Sequence, residues 1–288
     1  MRHICIIGNS AAGVSCAKTI RQTDSESKIT IISQENYPAY LRFKLLDFLY
    51  QGIKESDLFE FAKDFYKENN IELVNNVVTH IEPEKKRLYF KEKGFLEFDI
   101  LVLACGRKPK FPDIKGTNKR GVVTVYNFDD AKQIIETLPL IQTVCITGSN
   151  YVTEKLVDFF AQKNIEVKLF CPQLKINSES KSIEYITDSQ IQEILGNGDA
   201  KAVKLSNNKI IGTNLVVYAD ILVPNIDLVK DTPIKYNNGI IVNSSMLTNI
   251  ENIYAAGDVT EITGREKSFS WANAEQEGTT TGRCICQI

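Results

Sequence analysis

The sequence has no apolar run that approaches the roughly 20 residues of a transmembrane helix, so we expect no membrane span. It also has no excess of positive charge, because 34 Lys and Arg residues stand against 36 Asp and Glu residues and leave a net charge of −2. Nucleic acid is therefore not an expected partner. The N-terminal stretch MRHICIIGNS is apolar over too short a length for a secretory signal and is typical of a strand.

Histidine is scarce, and the cysteines are not arranged for disulfides. The two histidines, His3 and His80, form no metal-ligating pattern, so no metal site is predicted. The seven cysteines are odd in number and scattered through apolar segments, which favours a reducing, cytoplasmic location. We interpret the Cys284 and Cys286 pair as free thiols; a strained disulfide, or two ligands of a metal shared with a partner, are the alternatives.

What the chain does have is a repeated strand–helix–strand pattern. Its 288 residues, 43% of them hydrophobic, are enough for about two domains. The pattern predicts a strand, a helix and a strand at residues 2–7, 11–21 and 28–32, and again at 143–147, 151–162 and 166–170. Two such βαβ starts predict an α/β fold with two doubly wound, Rossmann-like domains. The hydrophilic stretches 174–181 and 195–202 are predicted to be loops.

The turn GNSAAG carries the chemistry of the first βαβ unit. It has the Gly-x-Gly-x-x-Gly spacing of a dinucleotide-binding turn, with Ser10 at the middle position. Gly8 permits the tight turn, Ser10 is small enough for the backbone to approach a pyrophosphate, and Gly13 lets the helix pack close to the sheet. Ala11 and Ala12 begin the helix, whose free N–H groups and positive dipole end would face the phosphates. The sequence therefore predicts a dinucleotide site, the alternative being a tight turn without a ligand.

An acidic residue after the second strand would hold the ribose of such a nucleotide. That strand ends IISQE, with Ser33 where the acid often stands and Glu35 two residues later. Glu35 is the candidate for this contact, and a solvated surface glutamate is the alternative interpretation.

Three further motifs join GNSAAG. They are YPAYLRFKLLDFLYQG, then LVLACGRKPKFPDI with Cys105 in place of a threonine, and then NIYAAGDVTE, a strand that ends in Gly-Asp. Together the four motifs resemble the FAD-dependent pyridine nucleotide-disulfide oxidoreductases over residues 1–282. Within that superfamily they resemble in particular the NADH:rubredoxin oxidoreductases and the N-terminal region of assimilatory nitrite reductases.

The resemblance implies a glutathione-reductase-type fold that binds FAD. The FAD-binding domain would be discontinuous, with residues 1–113 plus 246–288, and a shortened NAD(P)-binding-like domain would take residues 114–245. The helix that begins near WANAEQEG would direct its positive N-terminus at the isoalloxazine. The implied cofactor-binding residues are Gly8, Ser10, Ala11, Ala12 and Gly13 at the pyrophosphate, Glu35 at the ribose, Arg42 near the pyrophosphate or flavin, Val78 at the adenine, Ala104, Cys105 and Gly106 at the domain edge, Gly257 and Asp258 at the ribityl chain, and Ala274 in the helix, for which core packing is the alternative.

Two departures from the family pattern concern cysteine. The Cys-x4-Cys pair of the disulfide reductases is absent, and YLRFKLL has no cysteine where peroxidase-like relatives keep one. We therefore predict no catalytic residue in the chain itself and assign the redox chemistry to the flavin.

The second βαβ unit keeps little of the dinucleotide fingerprint. Gly148 retains the first glycine, but Asn150 replaces the second and Thr153 the third, and Lys155 stands where the family usually has Glu. Asn150 would crowd a pyrophosphate, and the β-branched Thr153 would push the helix away from the strand. These four residues predict a degenerate NAD site with weakened or lost NAD(P)H binding, the alternative being an intact but unusual site.

Other positions in this domain depart in the same direction. Cys171 stands where an acid would bind the adenosine ribose, and Ile221 stands near an expected glycine. The segment 174–187 is too short for the helix that this domain normally carries. NAD(P)H is therefore a doubtful second cofactor.

These features predict an FAD-dependent oxidoreductase that moves electrons through its flavin to or from a rubredoxin-like or small iron–sulfur protein, or an enzyme subunit. The chain ends at GRCICQI without the C-terminal interface domain of its relatives, so we expect a flavin face that is open to such a partner. An NAD(P)H-dependent reductase with an atypical fingerprint and a redox-silent FAD-binding scaffold subunit are the two alternatives.

Overall fold

The computed structural model of the protein describes residues 1–62, 64–171 and 182–287. The chain divides into two compact units, one made of Met1–Leu41, Phe59–Lys108 and Val223–Ile288 and the other of Arg42–Leu58 and Pro109–Leu222. The boundaries differ from the predicted domains in three segments, because residues 42–58 and 109–113 group with the second unit and 223–245 with the first. Which ligand each domain binds stays a prediction.

Short strands, six α-helices and four single-turn 3-10 helices make up the regular structure of the described residues. The strands are β1 (His3–Ile7), β2 (Lys28–Ser33), β3 (Ile71–Asn75), β4 (Val78–Glu82), β5 (Arg87–Phe90), β6 (Phe95–Glu97), β7 (Ile100–Leu103), β8 (Arg107–Pro109), β9 (Val122–Val123), β10 (Thr143–Thr147), β11 (Glu166–Phe170), β12 (Ile183–Ile186), β13 (Ile191–Leu195), β14 (Ala202–Leu205), β15 (Ile210–Gly212), β16 (Leu215–Tyr218), β17 (Leu222–Pro224), β18 (Ile240–Val242), β19 (Ile253–Ala255) and β20 (Thr260–Ile262). The helices are α1 (Ala11–Thr23), α2 (Leu45–Gln51), α3 (Phe65–Glu68), α4 (Phe128–Thr137), α5 (Tyr151–Gln162) and α6 (Trp271–Ile285).

Both predicted βαβ starts are confirmed. The first helix extends two residues beyond its predicted end at residue 21, and the second strand–helix–strand set has the predicted bounds. The predicted loop at 195–202 is the connection between β13 and β14, whereas the predicted loop at 174–181 lies outside the described residues. Of the segment that we predicted to be too short for a helix, residues 183–186 form strand β12.

The first unit is built on a five-stranded parallel sheet with the order β19-β7-β1-β2-β3. All four residues of β7 and the last four of β1 are buried, which explains why these strands are continuous apolar runs in the sequence. The chain leaves β1 towards β2 on one side, and β7 pairs on the other. The carboxyl end of β1 is therefore a topological switch point, where open α/β sheets bind their ligands.

Helix α6 packs closely along α1 in this unit. A Cβ atom at Gly278 would lie 2.1 Å from the carbonyl oxygen of Ala12, and one at Gly282 would lie 2.7 Å from the Thr19 Cβ. Larger residues at these positions would separate the helices, so the two glycines place α6 beside the helix that follows the first turn.

The second unit is built on a separate five-stranded parallel sheet with the order β12-β11-β10-β16-β9. Helix α5 follows β10, the central strand, so its N-terminus also lies at a carboxyl strand end. An antiparallel sheet of β13, β14 and β15 completes the unit. Across residues 1–62, 64–171 and 182–287, none of the helices has the length and apolarity that crossing a membrane requires.

Candidate functional site

The first turn brings β1, α1 and β7 into backbone contact. Gly8 has a φ of +124°, and a Cβ there would lie 2.1 Å from the carbonyl oxygen of Ala104. A Cβ at Gly13 would lie 2.0 Å from the carbonyl oxygen of Gly8. No larger residue fits at either position without moving backbone, which is the packing that a dinucleotide-binding turn requires.

The N-terminus of α1 is open. Ser10 is its N-cap residue, with extended backbone angles, and its carbonyl accepts the Val14 N–H at 2.9 Å. Within the described chain its hydroxyl makes no capping hydrogen bond, and the first turn has no acidic residue. Ala11 and Ala12 are buried and present no polar side chain. First-turn N–H groups are thus left for an external acceptor, and these residues fit a pyrophosphate.

Tyr66, which the sequence analysis did not select, holds this turn from the side. The Tyr66 hydroxyl donates to Asn9 Oδ1 at 2.8 Å and accepts the Ala39 N–H at 2.9 Å. Burial raises the pKa of Tyr66. Glu35, the ribose candidate, is half-buried after β2, and its Oε2 accepts a hydrogen bond from the Tyr40 hydroxyl at 2.6 Å. Nothing in the local sequence indicates which partner Tyr66 takes.

The segment after β7 continues the same edge of the sheet. The Ala104 N–H donates to the carbonyl of Ile7 at 2.9 Å, and Gly106 turns the chain with a φ of +64°. Burial raises the pKa of the Cys105 thiol to about 12. A thiol that keeps its proton at neutral pH is a poor nucleophile, and the assignment of the redox chemistry to a flavin stays a prediction.

Asp258 follows the edge strand β19 and is paired with a cation. Arg107 Nε donates to Asp258 Oδ2 at 2.9 Å. Burial raises the pKa of the Asp258 carboxyl, and the positive charges of Arg107 and Lys267 oppose this increase. The sequence analysis missed Arg107, which directly follows the predicted Ala104–Gly106 turn in the chain.

A partly buried ion pair ties the turn at Gly257 to helix α6. Lys267 Nζ donates to Glu277 Oε1 and Thr260 Oγ1, both at 2.6 Å, and to the Gly257 carbonyl at 3.0 Å. Glu277 Oε2 accepts the Gly257 N–H at 2.9 Å and the Thr260 hydroxyl at 2.8 Å. The lysine and glutamate side chains are only 18% and 13% exposed. This network, hereafter the Lys267–Glu277 clamp, fixes the turn that carries Asp258.

Three other predicted cofactor residues lie in different surroundings. Val78 is buried at the start of β4, and Ala274 is half-buried in the first turn of α6, where its N–H donates to the Ser270 carbonyl at 3.1 Å. Arg42 belongs to the second unit, where Nη1 donates to the Tyr126 carbonyl at 3.0 Å and the guanidinium lies over the Tyr126 ring. Their contacts with FAD stay predictions.

Glu60, in the first unit, is a half-buried acid outside the predicted set. Its Oε2 is buried, and among the described residues it has no hydrogen-bond partner. Burial raises the pKa of Glu60 to about 7, with a further increase from Glu275 on α6 and a decrease from Lys18 on α1. Because the folded-state pKa is above the usual value of 4.5, the folded protein holds this proton more tightly than the unfolded chain does.

Glu60→Gln is therefore expected to stabilise the protein at alkaline pH. The contribution of the wild-type proton is present below pH 4.5 and is lost as the pH rises towards 7. Relative to wild type, the variant should gain about 1 kcal/mol in free energy of unfolding between pH 5 and pH 8, a figure discounted because the carboxyl is only half-buried and solvent screens it. Urea denaturation at the two pH values measures this difference. Glu92→Gln, at an exposed position, is the control, and a variant whose advantage does not grow with pH would contradict the assignment.

The N-terminus of α5 in the second unit is closed by its own side chains. Asn150 Oδ1 accepts the Thr153 N–H and the Thr153 hydroxyl, both at 3.0 Å, and Asn150 Nδ2 donates to the Ala219 carbonyl at 3.1 Å. The Thr153 hydroxyl accepts the Asn150 N–H at 3.3 Å. Thr153 is fully buried. The pair forms a capping box at the position where a dinucleotide site presents free N–H groups.

A carboxylate lies at the same helix end. Asp220 Oδ2 accepts the N–H of Ser149 at 3.2 Å, and its Cγ lies 3.3 Å from where a Cβ of Gly148 would be. Asp220 thus places an anionic oxygen at the turn that would receive a phosphate. The sequence analysis did not select Asp220. The capping box itself could have been found, because the Asn-x-x-Thr spacing is a recognisable capping signal.

Lys155, Cys171 and Ile221 are the other residues of this domain that the sequence analysis selected. The Lys155 ammonium lies 5.4 Å from the centre of the Tyr151 ring, on the first turns of α5. Cys171 is buried after β11. Ile221 is half-buried beside Asp220.

The fold and the first turn are those of a protein with two Rossmann-like domains, and comparison with known families agrees. Residues 2–278 match the model of the pyridine nucleotide-disulphide oxidoreductase family, so the chain belongs to that family. The predicted superfamily and fold class are thereby confirmed.

Two of the similar proteins carry the names of the predicted branch. The chain is 27% identical over 283 residues to nitrite reductase [NAD(P)H] of Bacillus subtilis, covering 91% of this chain but 35% of that protein. It is 27% identical over 299 residues to NADH-rubredoxin oxidoreductase of Clostridium acetobutylicum, covering 98% and 74%. A ferredoxin reductase structure from Rhodopseudomonas palustris superposes with a TM-score of 0.87 at 20% identity, covering 99% and 76%, which shows a shared fold. The chain thus spans about a third of that nitrite reductase.

Proposed function

We propose that this protein is an FAD-dependent oxidoreductase that exchanges electrons with a small redox protein of the rubredoxin or ferredoxin class and binds NAD(P)H weakly or not at all. The contrast between the two helix N-termini carries the proposal. That of α1 has no side-chain cap, whereas that of α5 is capped by Asn150 and faces the Asp220 carboxylate. A dinucleotide pyrophosphate needs those N–H groups, so the first unit suits it and the second does not.

FAD in the first unit is supported by family membership and by the local chemistry. The tight packing at Gly8 and Gly13 and the position of Asp258 at the switch-point edge fit the pyrophosphate and the ribityl chain. Bound there, FAD would supply the redox chemistry. The chain's own contribution is to bind and orient it.

Weak NAD(P)H binding is supported by charge as well as by capping. Asp220 would stand against the phosphates of a nucleotide at α5, and like charges about 4 Å apart near a protein surface repel by about 4 kcal/mol. Cys171 offers no acid for the ribose. The repulsion and the missing ribose contact would both lower the affinity for NAD(P)H.

A second candidate is a conventional NAD(P)H-dependent reductase. The names of the relatives favour it, since nitrite reductase [NAD(P)H] and NADH-rubredoxin oxidoreductase both carry a nicotinamide cofactor in their names. The same names support a rubredoxin-type partner.

Anaerobic stopped-flow mixing of the FAD-loaded protein separates these candidates. We expect dithionite to bleach the visible flavin band, NADH and NADPH to bleach it slowly, and added rubredoxin or ferredoxin to reoxidise it. The Asn150→Gly, Asp220→Ala double variant opens the α5 turn and should be reduced by NADH at least about tenfold faster at subsaturating donor.

Asn127→Gly, which removes the equivalent cap from α4 in the same unit, controls for lost helix capping. Rapid bleaching of the wild-type flavin by NADH or NADPH would contradict the proposal of a weakened nicotinamide site. Reduction by dithionite without electron transfer to either protein would remove the proposed partner class and favour a scaffold subunit.

A further inference from the structure

Arg107 lies at the switch-point edge, where the proposed cofactor would bind, and no resemblance assigns it a role. Ile7, Leu103 and Ala255 are in register at the carboxyl ends of three adjacent parallel strands. Arg107 follows the second of these strands and Asp258 follows the third. The Arg107–Asp258 pair therefore stands beside the turn that begins at Gly8.

The guanidinium of Arg107 is held at two points. Nε donates to Asp258 Oδ2 at 2.9 Å, and Cζ lies 4.7 Å from the centre of the Phe269 ring. A planar guanidinium stacked on an aromatic face and bonded through Nε has a fixed orientation. Arg107 is consequently preorganised rather than a mobile surface cation, and its side chain is only 26% exposed.

The pair leaves specific groups unused. In residues 1–62, 64–171 and 182–287, Nη1 and Nη2 of Arg107 have no hydrogen-bond partner, and neither does Asp258 Oδ1. A guanidinium offers five N–H donors, and only one is used here. The free carboxylate oxygen suits a hydroxyl donor, and the free guanidinium nitrogens suit an anionic oxygen.

We propose that Arg107 is a cofactor-binding residue whose Nη groups donate to an anionic oxygen of FAD. The inference rests on the proposed function, namely that FAD binds the first unit. Two kinds of oxygen share this chemistry. One is a phosphoryl oxygen of the pyrophosphate, and the other is an oxygen of the flavin pyrimidine ring, where reduced flavin gains negative charge. Asp258 acts on the same residue by orienting it, and its Oδ1 remains for a polyol hydroxyl.

Arg87 provides a matched control within the same unit. It also pairs with a carboxylate, Glu97, at 2.7 Å, and its Cζ also lies over a phenylalanine ring, that of Phe95, at 4.6 Å. This second guanidinium–carboxylate–phenylalanine trio is on the β5–β6 hairpin, away from the switch-point edge. Loss of Arg87 therefore removes equivalent contacts without touching the proposed site.

The test compares Arg107→Gln, Arg107→Lys and Arg87→Gln by titrating apoprotein with FAD and with riboflavin, and by measuring the midpoint potential of the bound flavin. We expect Arg107→Gln to weaken FAD binding at least about tenfold, Arg107→Lys to restore part of it, and Arg87→Gln to match wild type. Melting temperatures of the apoproteins show whether each variant folds. If Arg107→Gln does not fold, Arg107→Lys, which keeps the charge, is used for the comparison with wild type instead.

The arms distinguish the two oxygens. Weakened FAD binding with unchanged riboflavin binding assigns the contact to the pyrophosphate. Weakened binding of both, with a lower midpoint potential, assigns it to the flavin. Wild-type FAD affinity and an unchanged potential in folded Arg107→Gln and Arg107→Lys would overturn the inference while leaving the proposed function intact. Failure of wild-type apoprotein to bind FAD would overturn both.

Discussion

Ser10→Asp is expected to lower the affinity for FAD at least about 100-fold while leaving the apoprotein as stable as wild type or more so. The new carboxylate would reproduce at α1 what Asn150 and Asp220 do at α5, because Asp is a preferred N-cap residue whose oxygen accepts a first-turn N–H. Like charges about 4 Å apart at an effective dielectric constant of about 20 repel by about 4 kcal/mol, a factor of about 1,000 in affinity. Flavin fluorescence quenching measures the affinity, and thermal denaturation measures the stability.

Ser10→Ala is the matched control for this variant. The Ser10 hydroxyl makes no capping hydrogen bond in the described chain, so its removal should change FAD affinity less than about threefold. If Ser10→Asp bound FAD as tightly as Ser10→Ala does, the open N-terminus of α1 would not be where the cofactor's phosphates bind.

Lys267→Met is expected to lower the free energy of unfolding by about 3 kcal/mol. The substitution removes the cation from the Lys267–Glu277 clamp and leaves the Glu277 carboxylate buried beside Gly257 and Thr260 with neutral partners only. An uncompensated buried charge costs about 3–5 kcal/mol, and the lower end applies because both side chains retain some exposure. Urea denaturation of the apoprotein at neutral pH gives the value.

The Lys267→Met, Glu277→Gln double variant is the control. A neutral glutamine keeps an acceptor for the Gly257 N–H, so the double variant should recover most of the lost stability, since replacing both members of a buried pair is often close to neutral. A double variant no more stable than Lys267→Met would show that the lysine acts through packing rather than through charge.

Local sequence patterns were sufficient to predict the architecture and the first turn. The two βαβ starts follow from hydrophobic periodicity, and Gly8 and Gly13 follow from their spacing, because the chain neighbours of each position decide its backbone role. The departures from the glycine fingerprint at Asn150 and Thr153 were visible for the same reason. Its physical form, a capping box, was also readable from the Asn-x-x-Thr spacing but was interpreted only as steric crowding.

Contacts between distant segments could not be predicted in this way. Arg107 and Asp258 are 151 positions apart, and Asn150 and Ala219 are 69 apart. Each pairing depends on which strands become neighbours in a sheet, and the hydrophobic pattern of a strand does not name its neighbour. The charges that distinguish the two candidate nucleotide sites therefore became apparent only in the folded chain.

Calorimetric titration of ligands tests the central claim most directly, namely that one of the two Rossmann-like units accepts a dinucleotide and the other does not. FAD added to apoprotein should bind one molecule per chain, and NADH added to the FAD-loaded protein should show a Kd weaker than about 1 mM, corresponding to less than about 4 kcal/mol of binding free energy. Saturable NADH binding in the micromolar range, with one molecule per chain, would contradict the account.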